Sequence, residues 1–394
     1  MKVEVKKDVY WVGAVDWSIR RFHGYTYSTH RGTTYNAYLI TDRKTALVDT
    51  VYPPFEEELI KSISELTKPD SIDYMICNHV EVDHSGAIPK IMELNPKAAL
   101  VCSSRGKDGL IKHYGGDWNY KVVKTGDEIK LGSKTLKFIE APMLHWPDSM
   151  FTYIPEDKLL LPNDAFGQHI ATSERFDDEV DNHILMDEAA KYYANILWPL
   201  SGLVARKLKD LGGLDVDTIA PSHGIIWRKN PNQIVEAYGR WANGAHKRKA
   251  VIAYDTMWGA TEAMANAIAD GLSSKGVSVI VRRIPVSDRG DIIKEMLDAA
   301  AVIIGSSTIN NSILPTVASL LEDIKGLKPV NKVGFAFGAY GWSGGAVRDI
   351  TNILREGGLK VPLESVQANW KPTEAELKRC FDVGVEIAKL VGEK

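Results

Sequence analysis

The stretch Asn78-His79-Val80-Glu81-Val82-Asp83-His84-Ser85-Gly86 sets four potential metal ligands within six residues, directly behind the strand-like run 73–77. In an extended segment alternate side chains share a face, so His79, Glu81 and Asp83 are expected to project together. His84 follows Asp83 immediately, and an unbent backbone would send the two to opposite faces. A turn at Ser85-Gly86 is therefore needed to swing His84 towards the same pocket. One such loop can hold more than one metal ion. Two imidazoles and two carboxylates without a thiolate form a borderline-to-hard donor set, suited to iron or manganese as well as zinc and unlike a cysteine-rich structural zinc site. The plain alternative is a solvated charged loop, which does not account for four such donors at this spacing behind an apolar strand.

Three further donors stand just past strand-like runs. His145 follows 135–141 through Pro142-Met143-Leu144, Asp164 follows 158–161 through Pro162-Asn163, and His223 follows 218–220 through Pro221-Ser222. Loops on a rigid scaffold are where sites concentrate, and strand ends converging on one sheet edge bring distant residues together. Singly each donor reads as a packed or surface residue; their common context makes them ligand candidates.

The elements that must position these donors follow from periodicity. Residues 9–16, 34–41 and 46–51 are rich in Val, Tyr, Ile and Trp and read as strands. Residues 53–66 have apolar positions at helical spacing, the 73–77 strand delivers the chain into the ligand loop, and 87–94 reads as the next helix. Helical spacing over 233–241 ends in the basic, Gly-containing run 243–249, which reads as a domain junction. The expected domains are 1–247 and 248–394. From there strands 251–254, 277–283, 301–305, 332–337 and 360–363 alternate with helices 261–274, 291–299, 315–325, 346–356 and 374–391, which implies a doubly wound, five-stranded parallel sheet.

Three strand-end loops of this second half have the composition of a flavin site. Thr256-Met257-Trp258-Gly259-Ala260-Thr261 offers hydroxyls and backbone N–H groups at a helix start, suited to a phosphate. Ser306-Ser307-Thr308-Ile309-Asn310-Asn311 and Ala339-Tyr340-Gly341-Trp342-Ser343-Gly344-Gly345 follow the third and fourth strands, flanking the switch point where a doubly wound sheet binds its ligand. Gly-rich loops are also common as plain turns; it is the succession of three that points to a ligand. No G-x-x-x-x-G-K-[ST] is present, which argues against a nucleoside triphosphate.

A net charge of -3 with acids and bases interspersed gives no basic face for nucleic acid. The acidic run Asp177, Asp178, Glu179 and Asp181 reads as a solvated face. Cys77, Cys102 and Cys380 lie far apart and form no C-x-x-C pair, as expected in a reducing cytoplasm. The charged start of the chain lacks the apolar stretch of a signal peptide, and no apolar run approaches a bilayer span, so a cytoplasmic protein without membrane contact is expected.

The order H-x-E-x-D-H, then His, Asp and His, resembles the metallo-β-lactamase superfamily, an αββα sandwich with metals at one sheet edge. Its hydrolases usually carry a second His where this chain has Glu81. That replacement, with the flanking EAPMLHWPDSMFTY, LLPNDAFGQHIAT and APSHGIIWR, resembles the flavodiiron proteins. The first flavin loop matches the flavodoxin pattern T-x-T-G-x-T at Thr256, Gly259 and Thr261 and departs from it at Trp258, and Ser307 stands where flavodiiron relatives often have Pro. The resemblance implies an N-terminal metallo-β-lactamase-like domain and a C-terminal flavodoxin-like domain. It implies one iron on His79, Glu81 and His145, a second on Asp83, His84 and His223, and Asp164 bridging them. FMN is expected on Thr256, Met257, Trp258, Gly259, Ala260, Thr261, Ser307, Thr308, Ile309, Asn310, Asn311, Ala339, Tyr340, Gly341, Trp342, Ser343 and Gly344. His23, Tyr25, Trp146 and His169 are the candidates to face the pocket, with His23, Tyr25 and His169 as donors of protons or hydrogen bonds.

The implied activity is reduction of O2 to water, of nitric oxide to nitrous oxide, or both, as detoxification in an anaerobe-type metabolism. The chain stops without the paired C-x-x-C motifs of a fused rubredoxin, so an external donor is expected: rubredoxin, a flavoprotein reductase or a reduced deazaflavin. A head-to-tail homodimer, or a dimer of dimers, is the expected assembly. The alternatives are a zinc-dependent hydrolase with an appended flavodoxin domain, against which Glu81 speaks because a third carboxylate lowers Lewis acidity, and an electron-transfer module with an inactive metal site.

Overall fold

The computed structural model describes residues 2–24 and 27–392. The chain divides into two compact units. The first comprises the residues up to Phe22, Thr29–Tyr192 and Gly202–Gly239; the second comprises His23–Ser28, Tyr193–Ser201 and the chain from Arg240 onwards.

Two sheets make the first unit. One runs, in spatial order, Val3–Lys6, Val9–Trp11, Tyr38–Ile40, Thr45–Val48, Ile72–Ile76, Ala99–Cys102 and Tyr120–Val122; the other runs Glu128–Lys130, Thr135–Glu140, Met150–Ile154, Leu159–Leu161 and Thr218–Ile219. They pack face to face because alternate residues of each strand point inward. Leu136 and Phe138 of one sheet join Trp11, Tyr38, Ile40, Val48, Ile76 and Val101 of the other in a single buried cluster. The expected strand over 9–16 is in fact broken at Gly13, whose backbone lies so close to the Tyr35 carbonyl that a Cβ would collide with it. Ala14–Asp16 then leaves the main sheet and pairs with Thr33–Tyr35.

The second unit is the expected doubly wound sheet, in the order Ser278–Arg283, Lys247–Asp255, Ala299–Ile309, Val333–Tyr340 and Val366–Asn369, all parallel. The helix Ala260–Ser273 packs on the helix Glu374–Leu390 through a close glycine contact: a Cβ on Gly271 would strike the backbone at Phe381. Two expectations change here. The fifth strand is Val366–Asn369 rather than 360–363, where Pro362 lacks a ladder donor and Lys360 makes only an isolated bridge to Val333. The stretch 306–311, read as a loop, continues the Ala299–Ile309 strand into a hairpin with Ser312–Ile313. Asn310 and Asn311 turn it at φ +50° and +59°, the left-handed pair that a tight two-residue hairpin demands.

Candidate metal centre and flavin site

The Ile72–Ile76 strand ends at Cys77, and the ligand loop is then held by a buried carboxylate from the neighbouring strand end. Asp49 accepts the Asn78 backbone N–H at 2.8 Å, Asn78 Nδ2 at 3.2 Å and Asn163 Nδ2 at 3.1 Å. One side chain thus braces both the loop carrying His79 and the one carrying Asp164. After Glu81 the chain is not extended: Val82–Ser85 forms a single helical turn. The turn resolves the geometry of Asp83 and His84, because neighbours on a helix are about 100° apart rather than opposed. Thr50 Oγ1 donates to the His84 carbonyl at 2.7 Å and Ser85 Oγ donates to the Val80 carbonyl at 2.7 Å, fixing the turn.

All seven ligand candidates converge in two groups. His79, Glu81, His145 and Asp164 form one, and Asp83, His84 and His223 the other; within each group the donor atoms lie within 4.8 Å of one another. Asp164 faces both. Its Oδ2 lies 3.2 Å from His145 Nε2 and 3.7 Å from His79 Nε2, while its Oδ1 lies 3.0 Å from His84 Nε2 and 3.6 Å from His223 Nε2. Glu81 Oε2 stands 3.3 Å from Nε2 of both His79 and His145, and Asp83 Oδ2 stands 3.0 Å from His223 Nε2 and 3.3 Å from His84 Nε2. Behind the ligands, His79 Nδ1 meets Asp148 Oδ2 at 3.0 Å and His223 Nδ1 donates to the Thr34 carbonyl at 2.7 Å. Ser222 Oγ donates to Asp164 Oδ1 at 2.9 Å.

The electrostatics are those of a cation site. Burial works against charge on the imidazoles, but the facing carboxylates outweigh it: Asp148 and Glu81 lift His79 well above the ordinary value, Asp83 and Asp164 lift His84 to about 9, and Asp164 and Glu81 lift His145 to about 9. Burial also raises Asp164, yet the His84 and His145 imidazoles reverse this and hold it well below the usual carboxylate range. Both Asp83 oxygens, both His84 ring nitrogens and Asp164 Oδ2 are buried without a well-aligned hydrogen bond. Buried polar atoms normally find partners, and metal ions satisfy all of these at once. The donor set therefore fits two metal ions sharing one carboxylate.

Of the remaining candidates, His169 is buried, bonds through Nδ1 to Thr33 Oγ1 at 2.7 Å, and packs its ring 4.8 Å from His223 and 5.1 Å from Tyr192. Trp146 sets its ring 5.0 Å from His79, edge to face. His23 is exposed and groups with the second unit. Tyr25 lies outside the described residues. The acidic run is half solvated face and half staple, since Asp177 Oδ1 accepts the N–H groups of Arg228 and Lys229. Sequence reasoning missed Asp49, Asp148 and Asn163. The signal was weak but present: Asp49 ends a strand as the ligands do, and Asn163 directly precedes Asp164.

In the second unit the Lys247–Asp255 strand runs into the first flavin loop, where Thr256 Oγ1 accepts the Gly259 N–H at 3.0 Å and Gly259 turns at φ +85°. Thr261 Oγ1 and Ser307 Oγ lie 3.1 Å apart, and the Met257 N–H reaches Ser307 Oγ at 3.3 Å, so the first and second loops are joined. Hydroxyls at the start of the Ala260–Ser273 helix form a cradle that fits a phosphate. In the third loop Asn369 Nδ2 donates to the Gly341 carbonyl at 2.6 Å. Trp258 and Trp342 are 93% and 89% exposed, unusual for indoles without a flat ligand or partner to cover them. Trp370, 73% exposed and lying against Gly341, was hidden from sequence reasoning by the misplaced fifth strand.

Two family models match the chain: an ODP family beta lactamase over residues 33–224 and a flavodoxin over residues 252–384. A nitric oxide reductase of Moorella thermoacetica is 58% identical over 99% of both chains. Among solved structures, rubredoxin oxygen:oxidoreductase from Desulfovibrio gigas superposes with a TM-score of 0.97 at 39% identity, covering 99% of this chain and 98% of that one. The flavodiiron protein from Giardia intestinalis superposes with a TM-score of 0.96 at 36% identity, covering 99% and 97%.

Proposed function

The chain belongs to the flavodiiron protein family of oxidoreductases, and from that premise we propose that it reduces O2 to water, nitric oxide to nitrous oxide, or both, at a non-haem diiron site fed through FMN. The observation that carries this reading is Asp164, a single buried carboxylate with one oxygen towards each histidine pair. We assign one iron to His79, Glu81 and His145, the other to Asp83, His84 and His223, with Asp164 shared. When bound, two ferrous irons and one reduced flavin supply the four electrons that take O2 and four protons to two waters, or that serve two rounds in which two NO and two protons give N2O and water. Three carboxylates would offset part of the metal charge and favour the oxidised pair.

The chain's own groups do the rest. Asp148 and the Thr34 carbonyl hold the His79 and His223 rings with Nε2 facing inward. Trp146 and Phe22 wall the histidines with apolar surface, Phe22 lying 4.5 Å from His169 and 5.5 Å from His223. His169, fixed by Thr33, stands beside His223 as a hydrogen-bond or proton donor for the pocket. In the flavin unit Thr256 and Thr261 take the FMN phosphate, and the second and third loops approach the ring. Electrons come from an external donor such as rubredoxin, a reductase or a reduced deazaflavin. The three cysteines are buried free thiols, which suits a reducing cytoplasm, and among the described residues no helix is long and apolar enough to cross a membrane. A head-to-tail homodimer is the assembly we assign.

Metal analysis combined with anaerobic consumption assays for O2 and NO tests the reading. About two irons per chain and turnover of at least one gas are expected. Zinc in place of iron, from cells supplied with iron, together with hydrolytic activity would establish the hydrolase alternative instead.

A further inference from the structure

The two ligand groups differ in what stands behind their histidines. On the His223 side, Nδ1 donates to a neutral acceptor, the Thr34 carbonyl. On the His79 side it meets the carboxylate of Asp148, and the same Oδ2 also takes the Val80 N–H at 2.8 Å. Asp148 is only 4% exposed. Its own backbone carbonyl accepts Ser103 Oγ at 2.7 Å, and Ser103 in turn caps the Ser104–Tyr114 helix by accepting the Gly106 N–H. Asp148 also stands three residues beyond His145, the other imidazole of that group. The carboxylate is thus fixed by the Val80 N–H, and its backbone by Ser103, at the outer nitrogen of one ligand, while His84 Nδ1 has no hydrogen-bond partner among the described residues.

A carboxylate behind an imidazole makes the ligand more basic and favours the higher charge on the metal it binds; a carbonyl does so less. The ligand carboxylates are otherwise matched, Glu81 on one side and Asp83 on the other with Asp164 shared, and Asp49, the buried carboxylate that acts on His84 through space, is already held by Asn78 and Asn163. We propose that Asp148 makes the two irons unequal: the iron held by His79, Glu81 and His145 has the lower potential. The first electron entering the oxidised pair then resides on the side of Asp83, His84 and His223. This inference rests on the ligand assignment proposed above, and Asp148 acts in it as a positioning residue through His79.

The test is a stepwise reductive titration of the full chain followed by Mössbauer spectroscopy, which sees iron and ignores the flavin. Half-reduced wild type should show one ferric and one ferrous iron in distinct environments. Asp148→Asn should raise the more negative of the two couples and leave the other in place. Loss of such a partner typically costs roughly 10- to 100-fold in metal affinity; where that loss falls on the ferric ion alone, the couple rises by about 59 mV for each tenfold. Asp148→Glu should restore part of the separation. If Asp148→Asn instead loses one iron per chain with FMN retained, the half-reduced wild type decides: distinct ferric and ferrous irons support the inference and two equivalent irons overturn it. Equal movement of both couples, or movement of neither with two irons bound, would overturn it. Should Asp148→Asn fail to fold, the wild type still decides: two equivalent irons at half reduction exclude the proposed inequality. A wild type with fewer than two irons overturns the diiron reading itself, a different failure.

Discussion

Asp164 is the residue on which both halves of the proposed metal centre depend, because its two oxygens face different histidine pairs. Asp164→Ala is therefore expected to remove more than one iron per chain, whereas a ligand serving one group, such as His145→Ala, should remove at most one. Iron assay of purified variants, with FMN content as the folding control, checks this; equal losses from the two variants would rule out the shared role. On the flavin side, Thr256→Val with Thr261→Val should weaken FMN binding, each hydroxyl bond to a charged phosphate contributing roughly 1.5 to 3 kcal/mol. Riboflavin, which lacks the phosphate, should bind wild type and variant alike. If both flavins weaken together, the hydroxyls shape the loop and do not contact phosphate. At this scale the ligand candidates, which the fold brings together, were legible because four donors crowd into six residues. Asp49 and Asp148 were not, because a single carboxylate in sequence gives no sign that folding will place it at 3.0 Å from an imidazole or beneath two ligand loops.

At the scale of elements, the sequence patterns located strands and helices well wherever the local period and the burial agreed, as in the Ala346–Glu356 helix and the Val333–Tyr340 strand. They failed where a tertiary partner decided. The turn Val82–Ser85 is helical because Thr50 and the Val80 carbonyl hold it, and 360–363 is no strand because Pro362 cannot complete the ladder. Lys332 is another tertiary effect, a buried ammonium at the start of a core strand that donates to the Leu297 and Ala299 carbonyls at 3.0 and 2.6 Å. Burial, partly opposed by Asp298, pulls it from 10.5 down to about 8. Below about 8 both folded and unfolded chains carry this proton and the full burial penalty applies. Between about 8 and 10.5 the unfolded chain holds more protons, so stability rises with pH there, by roughly 3 kcal/mol in total. Lys332→Met should lack that rise. Denaturant unfolding of both chains across this window is the measurement, and parallel curves would show that Lys332 does not titrate as described.

For the molecule as a whole, the two-module plan was readable because each module keeps its own rhythm, sandwich strands first and βα alternation after. What no periodicity conveys is which core a short segment joins: His23–Ser28 and Tyr193–Ser201 belong to the second unit although both lie deep within the first unit's stretch of sequence. Nor does either unit contain both cofactor sites. The proposed metal ligands all come from the first, and the three proposed flavin loops all come from the second. Electrons must therefore pass between units, and a C2 pairing can bring the flavin of each protomer to the metals of its partner, two contacts at one interface. The expected outcome is complementation between two inactive variants. One carries Asp164→Ala with intact flavin loops; the other carries Thr256→Val and Thr261→Val with Gly259→Asp, which puts a charged side chain at the φ +85° turn of the first loop, and keeps its metal ligands. Co-expressed with different tags and isolated through both, the mixed dimer holds one intact cross-chain pair and no intact pair within a chain. NO or O2 consumption should return well above that of either parent dimer. Mixed dimers that form and remain inactive would mean that transfer runs within one chain, and the head-to-tail assignment would be wrong.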